Sequence, residues 1–252
     1  MKSARAYTDG ARPPMSGPAP RDEPRLYGVV RFAVCLFVGA GMPLWGGWSG
    51  LFLLASNPAS HVIRTNLQTA YIGLVTTALL VDTVVFLGLI RFWEAKPFQS
   101  IGLKPVTVGD LSAALVSGIA ASWSIQFMIH SFVPQVTALS IRNPHSEWLT
   151  IPLLLRLAFD AANVIAEEVA QRAYIIERVE SMTGSLTLAV VASALVCLLG
   201  HTPERGLTAP LLLIPGILVL CGLYVWRRSL PACVVAHLIA NAVPFGALPL
   251  SW

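Results

Sequence analysis

NVIAEEVAQRAYII, residues 163–176, sets Glu167, Glu168 and Arg172 within two helical turns of a strongly apolar chain. Of the 252 residues, 55% are hydrophobic and 12% charged, with a mean hydropathy of +0.68, whereas a soluble domain carries about 25% charged residues. This composition is that of an integral membrane protein. A charged side chain at the centre of a membrane helix costs roughly 2.5–3.5 kcal/mol on insertion scales. The charged groups of this stretch are therefore expected to face protein or water rather than lipid.

A spanning helix needs about 20 mostly apolar residues. Apolar runs at residues 26–47, 69–90, 111–133, 151–176, 185–201, 207–226 and 230–250 predict about seven such helices, and GLFLLASNP at 50–58 can add an eighth membrane element. The expected fold class is all-α, a polytopic membrane helical bundle. The fifth run is short: SLTLAVVASALVCLLG, 16 residues from Ser185 to Gly200, reaches only about 24 Å at the helical rise. Residues 1–25 are rich in Pro, Gly and charge and lack a leading apolar segment, so they read as a disordered tail and not as a cleaved signal peptide. Residues 26–252 form the expected transmembrane domain.

Lysine and arginine placement predicts the orientation. With the N-terminus in the cytoplasm, that side holds eleven: Lys2, Arg5, Arg12, Arg21, Arg25, Arg91, Lys96, Lys104, Arg178, Arg227 and Arg228. The opposite side holds three, Arg64, Arg142 and Arg205. The net charge of +4 is thus a topology signal for a multi-pass cell-membrane protein, and a nucleic-acid partner has no support. Cys35, Cys197, Cys221 and Cys233 lie in apolar runs with no CxxC pair, as expected of reduced packing residues.

The polar residues of the fourth span fall in a pattern. Arg156, Asp160, Asn163 and Glu167 follow one another at offsets of 4, 3 and 4, which puts them on one stripe of an α-helix. Glu168 and Arg172 form a separate i, i+4 pair, with the acid N-terminal to the base. Glu167 is thereby left to act in the bundle interior while Glu168 holds Arg172. A snorkelling helix end would also place charge here.

Two later helices carry polar intruders of their own: His201 in CLLGHTPER, and His237 with Asn241 in LPACVVAHLIANAV. Each alone fits a hydrogen-bonded structural role. Together with Glu167 they supply what amide hydrolysis needs. A carboxylate drawn into a low-dielectric site is a stronger base than in water, suited with a histidine to take a proton from water. A second histidine and an amide can offer donors to a developing oxyanion.

EEVAQR at 167–172, CLLGH ending at 201 and HLIAN at 237–241 resemble the EExxxR, FxxxH and HxxxN or HxxxD pattern of the CPBP family of intramembrane endopeptidases, also called the Abi or CAAX-protease family. FQSIGLKP at 98–105 is similar to the segment that precedes that family's core. The resemblance covers residues 90–250, with a protease-like core at about 151–250. It implies a CAAX-protease-like helical bundle that cuts peptide bonds of membrane-associated or prenylated proteins or peptides, without a cofactor. It further implies that Glu167 activates water with His201, that His237 and Asn241 hold the carbonyl oxygen, and that Glu168 and Arg172 support them. Gln171, Ala173 and Cys197 depart from the family's aromatic, glycine and phenylalanine at those positions. The departures touch packing positions and bear on cavity shape.

Other readings stay open on the sequence alone. Glu167, His201 and His237 can also be written as a three-ligand zinc site with water in the fourth position, although no HExxH is present. A transporter would use Asp82, His130, Arg31 and Asp160 along a path, but would show related halves or matching broken helices. A non-catalytic scaffold or immunity protein would keep the same polar groups as packing.

Overall fold

The computed structural model describes residues 25–37, 61–136, 151–205 and 209–242. The tail at 1–24, GLFLLASNP and the ends of the first and last runs lie outside the described residues. Every regular element among the described residues is helical. In chain order these are α1 (Arg25–Leu36), α2 (His61–Gly88) with a π-helical extension Leu89–Trp93, a short 3-10 turn Phe98–Ile101, and α3 (Val108–Val136). There follow α4 (Leu153–Glu167), a π-helical segment Glu168–Tyr174, α5 (Ile175–Thr183), α6 (Leu186–Arg205), a 3-10 turn Ala209–Leu213, α7 (Ile214–Arg227) and α8 (Leu230–Ala242).

The all-α membrane bundle expected from the apolar runs is the fold observed. Asn66–Trp93, Val108–Ile129 and Pro210–Arg227 are long and apolar enough to cross a bilayer, and Leu186–Thr202 and Leu230–Ala242 are shorter apolar helices. Trp123, Phe127 and Trp226 are exposed. In water so much apolar surface would be an aggregation liability; against acyl chains it is the expected outer surface. The fifth run is longer than its hydropathy suggested. α6 continues through Thr202 to Arg205, and its 20 residues reach about 30 Å. His201 therefore sits within a helix and not beyond its end.

α4, the π segment and α5 form one continuous helical rod, because nothing between Leu153 and Thr183 interrupts the backbone until Gly184 closes it in a left-handed conformation. All seven π-segment residues are buried. Tyr174 links the rod to the early helices: its ring stacks on Phe32 of α1 at 5.9 Å between centroids and meets Phe86 of α2 edge-on at 5.0 Å. α2 packs along α4, α5 along α6, and α3 lies against both α7 and α8.

A polar collar fixes one end of this arrangement. Glu94 accepts from Tyr174 Oη at 2.6 Å and from Arg178 Nε at 2.9 Å, and Arg178 also donates to Ser100 Oγ at 3.1 Å. Glu177 Oε1 accepts from Tyr224 Oη at 3.0 Å and from Arg228 Nη1 at 2.9 Å. Arg227 Nε donates to Asp110 Oδ1 at 2.9 Å, while Lys104 Nζ donates to the Arg227 carbonyl at 2.8 Å. The link 94–107 is thereby tied to α5 and to the α7–α8 turn. At Gly102 a Cβ would come within 2.9 Å of the Arg228 carbonyl oxygen and φ is +73°, so only glycine fits that close approach.

The α3–α8 contact depends on a second glycine. A Cβ on Gly118 would lie 2.6 Å from the Ala236 carbonyl oxygen and 2.8 Å from Ile239 Cβ, distances at which one helix must move. Gly118→Val is expected to cost about 1–3 kcal/mol through overpacking, read as a lower unfolding midpoint in detergent. An unchanged midpoint would show that α8 does not rest on α3 at this point.

Candidate active site

The polar residues of the rod meet those of α8 in the interior. Glu167 is the last residue of α4 and Glu168 the first of the π segment, and both are buried. The wider π turn, a form frequent at functional sites, begins where the two acids stand. It lets consecutive carboxylates address the same neighbouring helix.

Glu168 is wholly buried, and Arg172 is 1% exposed. Arg172 Nη1 donates to Glu168 Oε1, as the i, i+4 spacing predicts, and the sulfurs of Cys197, Cys221 and Cys233 surround the guanidinium. These thiols are free. Soft sulfur atoms solvate a cation poorly, so the charge of Arg172 is balanced mainly by Glu168.

The same oxygen serves α8. His237 Nδ1 lies 2.7 Å from Glu168 Oε1, and His237 Nε2 lies 3.8 Å from Glu167 Oε2. A carboxylate oxygen facing a guanidinium is ionised and only accepts hydrogen bonds, so the hydrogen on this contact belongs to Nδ1. A neutral imidazole held in that way presents a lone pair at Nε2.

Two more contacts complete the cluster. Asn163 Nδ2 donates to Glu167 Oε1 at 2.9 Å, leaving Oε2 toward His237. Asn241 Nδ2 donates to Asp160 Oδ1 at 2.9 Å. Asp160 and Asn163 lie on the interior stripe legible in the sequence, but their pairing with Asn241 and Glu167 was not read there. The offsets put Asn163 and Glu167 four apart on one face of α4 but do not give the partner of Asp160 on another helix.

His201 is placed by register. α5 and α6 are joined by the short link Gly184–Ser185 and pack together, and Ser193 Oγ donates to the Gln171 carbonyl at 2.7 Å. From Ser193, His201 is eight residues farther along α6, about 12 Å, and half-buried. Glu167, Glu168, Arg172 and His237 are thus joined by direct contacts and Asn241 through Asp160. Among the described residues no group of three His, Cys, Asp or Glu side chains that could hold a metal ion is found.

Residues 147–243, which hold this whole cluster, match the family described as Rce1-like, type II CAAX prenyl endopeptidase Rce1-like. Over this stretch the chain is similar to the CAAX-protease family. No curated protein and no solved structure matches it. The resemblance drawn from EEVAQR, CLLGH and HLIAN is borne out over the stretch that contains them. A domain of this family supports protease activity in the membrane on membrane-associated proteins.

Arg172→Ala would leave Glu168 as a buried charge without its counter-ion, a loss of roughly 3–5 kcal/mol. The folded fraction recovered in detergent is expected to fall sharply. Replacing the pair together, Glu168→Gln with Arg172→Met, should recover much of it. Equal loss in the single and double variants would show that the pair is not what the fold requires.

Proposed function

We propose that the protein is an intramembrane endopeptidase of glutamate type, hydrolysing a peptide bond of a membrane-associated, prenylated protein or peptide without a metal. The observation that carries this reading is the environment of Glu167. It is a buried carboxylate with one oxygen held by Asn163 at 2.9 Å and the other facing His237 Nε2 across 3.8 Å, longer than a hydrogen bond and closed by a small side-chain movement. Glu167, with His201, takes a proton from water as the oxygen attacks the scissile carbonyl carbon. The carbonyl oxygen becomes an oxyanion, and Asn241, its amide oriented by Asp160, donates a hydrogen bond to it. Collapse of this intermediate breaks the C–N bond and releases a carboxylic acid and an amine.

Burial favours this chemistry. Within a water-poor interior, preorganised donors act on the transition-state charge without reorganising first, and a prenyl group on the substrate can reach the site through the apolar surround. Replacement of Glu167 by Gln keeps the shape and the Asn163 contact but removes the base, so cleavage of a farnesylated peptide by purified protein should fall by at least ~10²-fold with unchanged unfolding behaviour. Wild-type turnover by this variant would remove Glu167 from the reaction and favour a non-catalytic scaffold.

We infer further that the collar end of the bundle faces the cytoplasm. Arg178, Arg227, Arg228 and Lys104 all take part in the collar, and Arg91 at the end of the π-helical extension and Lys96 in the link flank Glu94 in sequence, in keeping with the positive-inside rule. A cysteine introduced at Ser185 should be labelled by a membrane-impermeant maleimide only after cells are opened. Labelling of intact cells would invert the orientation.

A further inference from the structure

We propose that Arg156 receives the free C-terminal carboxylate of the substrate, and so selects chains that end a few residues beyond the scissile bond. The inference rests on the endopeptidase reading above and adds to it a residue that reads where the substrate ends.

Arg156 is the one member of the α4 polar stripe without a task. Asn163 donates to Glu167, and Asp160 accepts from Asn241. Arg156 is half-buried, its Nε is enclosed with no hydrogen-bond partner, and it makes no hydrogen bond or ion pair among the described residues. Asp160, at i+4, is the acid such an arginine would ordinarily take on its own helix, yet that side chain is turned to Asn241. Ile151 and Phe159, before and after Arg156, belong to the packed core between α2 and α4, so this level of the helix lies within the bundle.

A guanidinium keeps its charge in any protein interior, and a charge inside a membrane helix is costly without a partner. What fits it is an anion with two oxygens in a plane, because carboxylate and guanidinium meet through two parallel hydrogen bonds.

The spacing sets the length of chain between the two sites. On the proposed mechanism Asn241 donates to the oxyanion, and Asn241 is tied to Asp160, so the scissile carbonyl lies near the level of Asp160. Arg156 stands four residues back along α4, about 6 Å of helical rise. Its side chain leans farther toward the helix N-terminus, which puts the guanidinium roughly 10 Å from the carbonyl. An extended chain covers about 3.3–3.6 Å per residue, so about three residues bridge that gap. The terminal carboxylate of a short C-terminal segment arrives there whatever its side chains are.

The probe is an internally quenched peptide carrying a farnesylated cysteine followed by about three residues, made with a free C-terminal carboxylate and as the C-terminal amide. Purified wild-type protein is expected to cleave the acid with a kcat/KM ~10–10²-fold above that of the amide, the range of a hydrogen bond to a charged group. Arg156→Met keeps the apolar stem without the charge, and should lower the acid to the level of the amide while the amide changes little. Arg156→Lys, which restores a point charge without the fork, should recover part of the preference.

Equal cleavage of acid and amide by the wild-type protein would overturn the proposal. So would an equal loss on both in Arg156→Met, the result expected of a structural residue or of one that holds a lipid phosphate. Retained amide cleavage also shows that the variant is folded. Failure of the wild-type protein to cut either substrate would instead remove the endopeptidase reading on which the proposal stands.

Discussion

One carboxylate oxygen carries much of this structure. Glu168 Oε1 accepts from a guanidinium on its own rod and from an imidazole on α8, in an interior where neither charge can be left to water. A buried ion pair is a weak source of stability in general, since desolvation offsets the attraction. Its consequence here is specificity of arrangement. The contact of His237 with Glu168 ties the rotation of the α4–α5 rod to α8, and with it the side from which Glu167 meets His237.

The rest of the fold supports that junction. α3 brings α8 close through Gly118, where only a hydrogen fits. The collar of Glu94, Arg178, Glu177, Arg228, Asp110 and Arg227 ties the loops of one end together, so the helices cannot slide along one another without parting several charged contacts. Tyr174 spans both systems, with its ring in the aromatic cluster and its hydroxyl on Glu94. The polar groups are thus held by rigid elements on every side, which a site working through fixed dipoles requires.

The chemistry follows from how few hydrogens are left unassigned. Asn163 takes one oxygen of Glu167, Glu168 takes the Nδ1 hydrogen of His237, and Asp160 takes one N–H of Asn241. On Glu167, His237 and Asn241 this leaves one carboxylate oxygen, one ring nitrogen and one amide hydrogen. On the proposed mechanism Glu167 supplies the base and Asn241 a donor to the oxyanion. The altered packing positions Gln171 and Cys197 do not enter this set: Gln171 lends its carbonyl to Ser193, and Cys197 lies beside Arg172.

The sequence by itself determined the class of fold, because burying apolar surface against lipid demands long greasy helices and the runs are visible as composition. It also determined the Glu168–Arg172 pair and the stripe of Asp160, Asn163 and Glu167, since neighbours within one helix are fixed by its period. The length of α6 was not legible, because His201 and the polar residues after it resemble a loop in hydropathy although they continue the helix. The π turn was equally hidden, as nothing in EEVAQRAY distinguishes a wider turn from an ordinary one. Only the tertiary structure decided that His237 gives its Nδ1 to Glu168 and that Asn241 answers to Asp160. Those partners stand on another helix, and rotation and depth between helices are set by packing all along the rods, which no local spacing encodes.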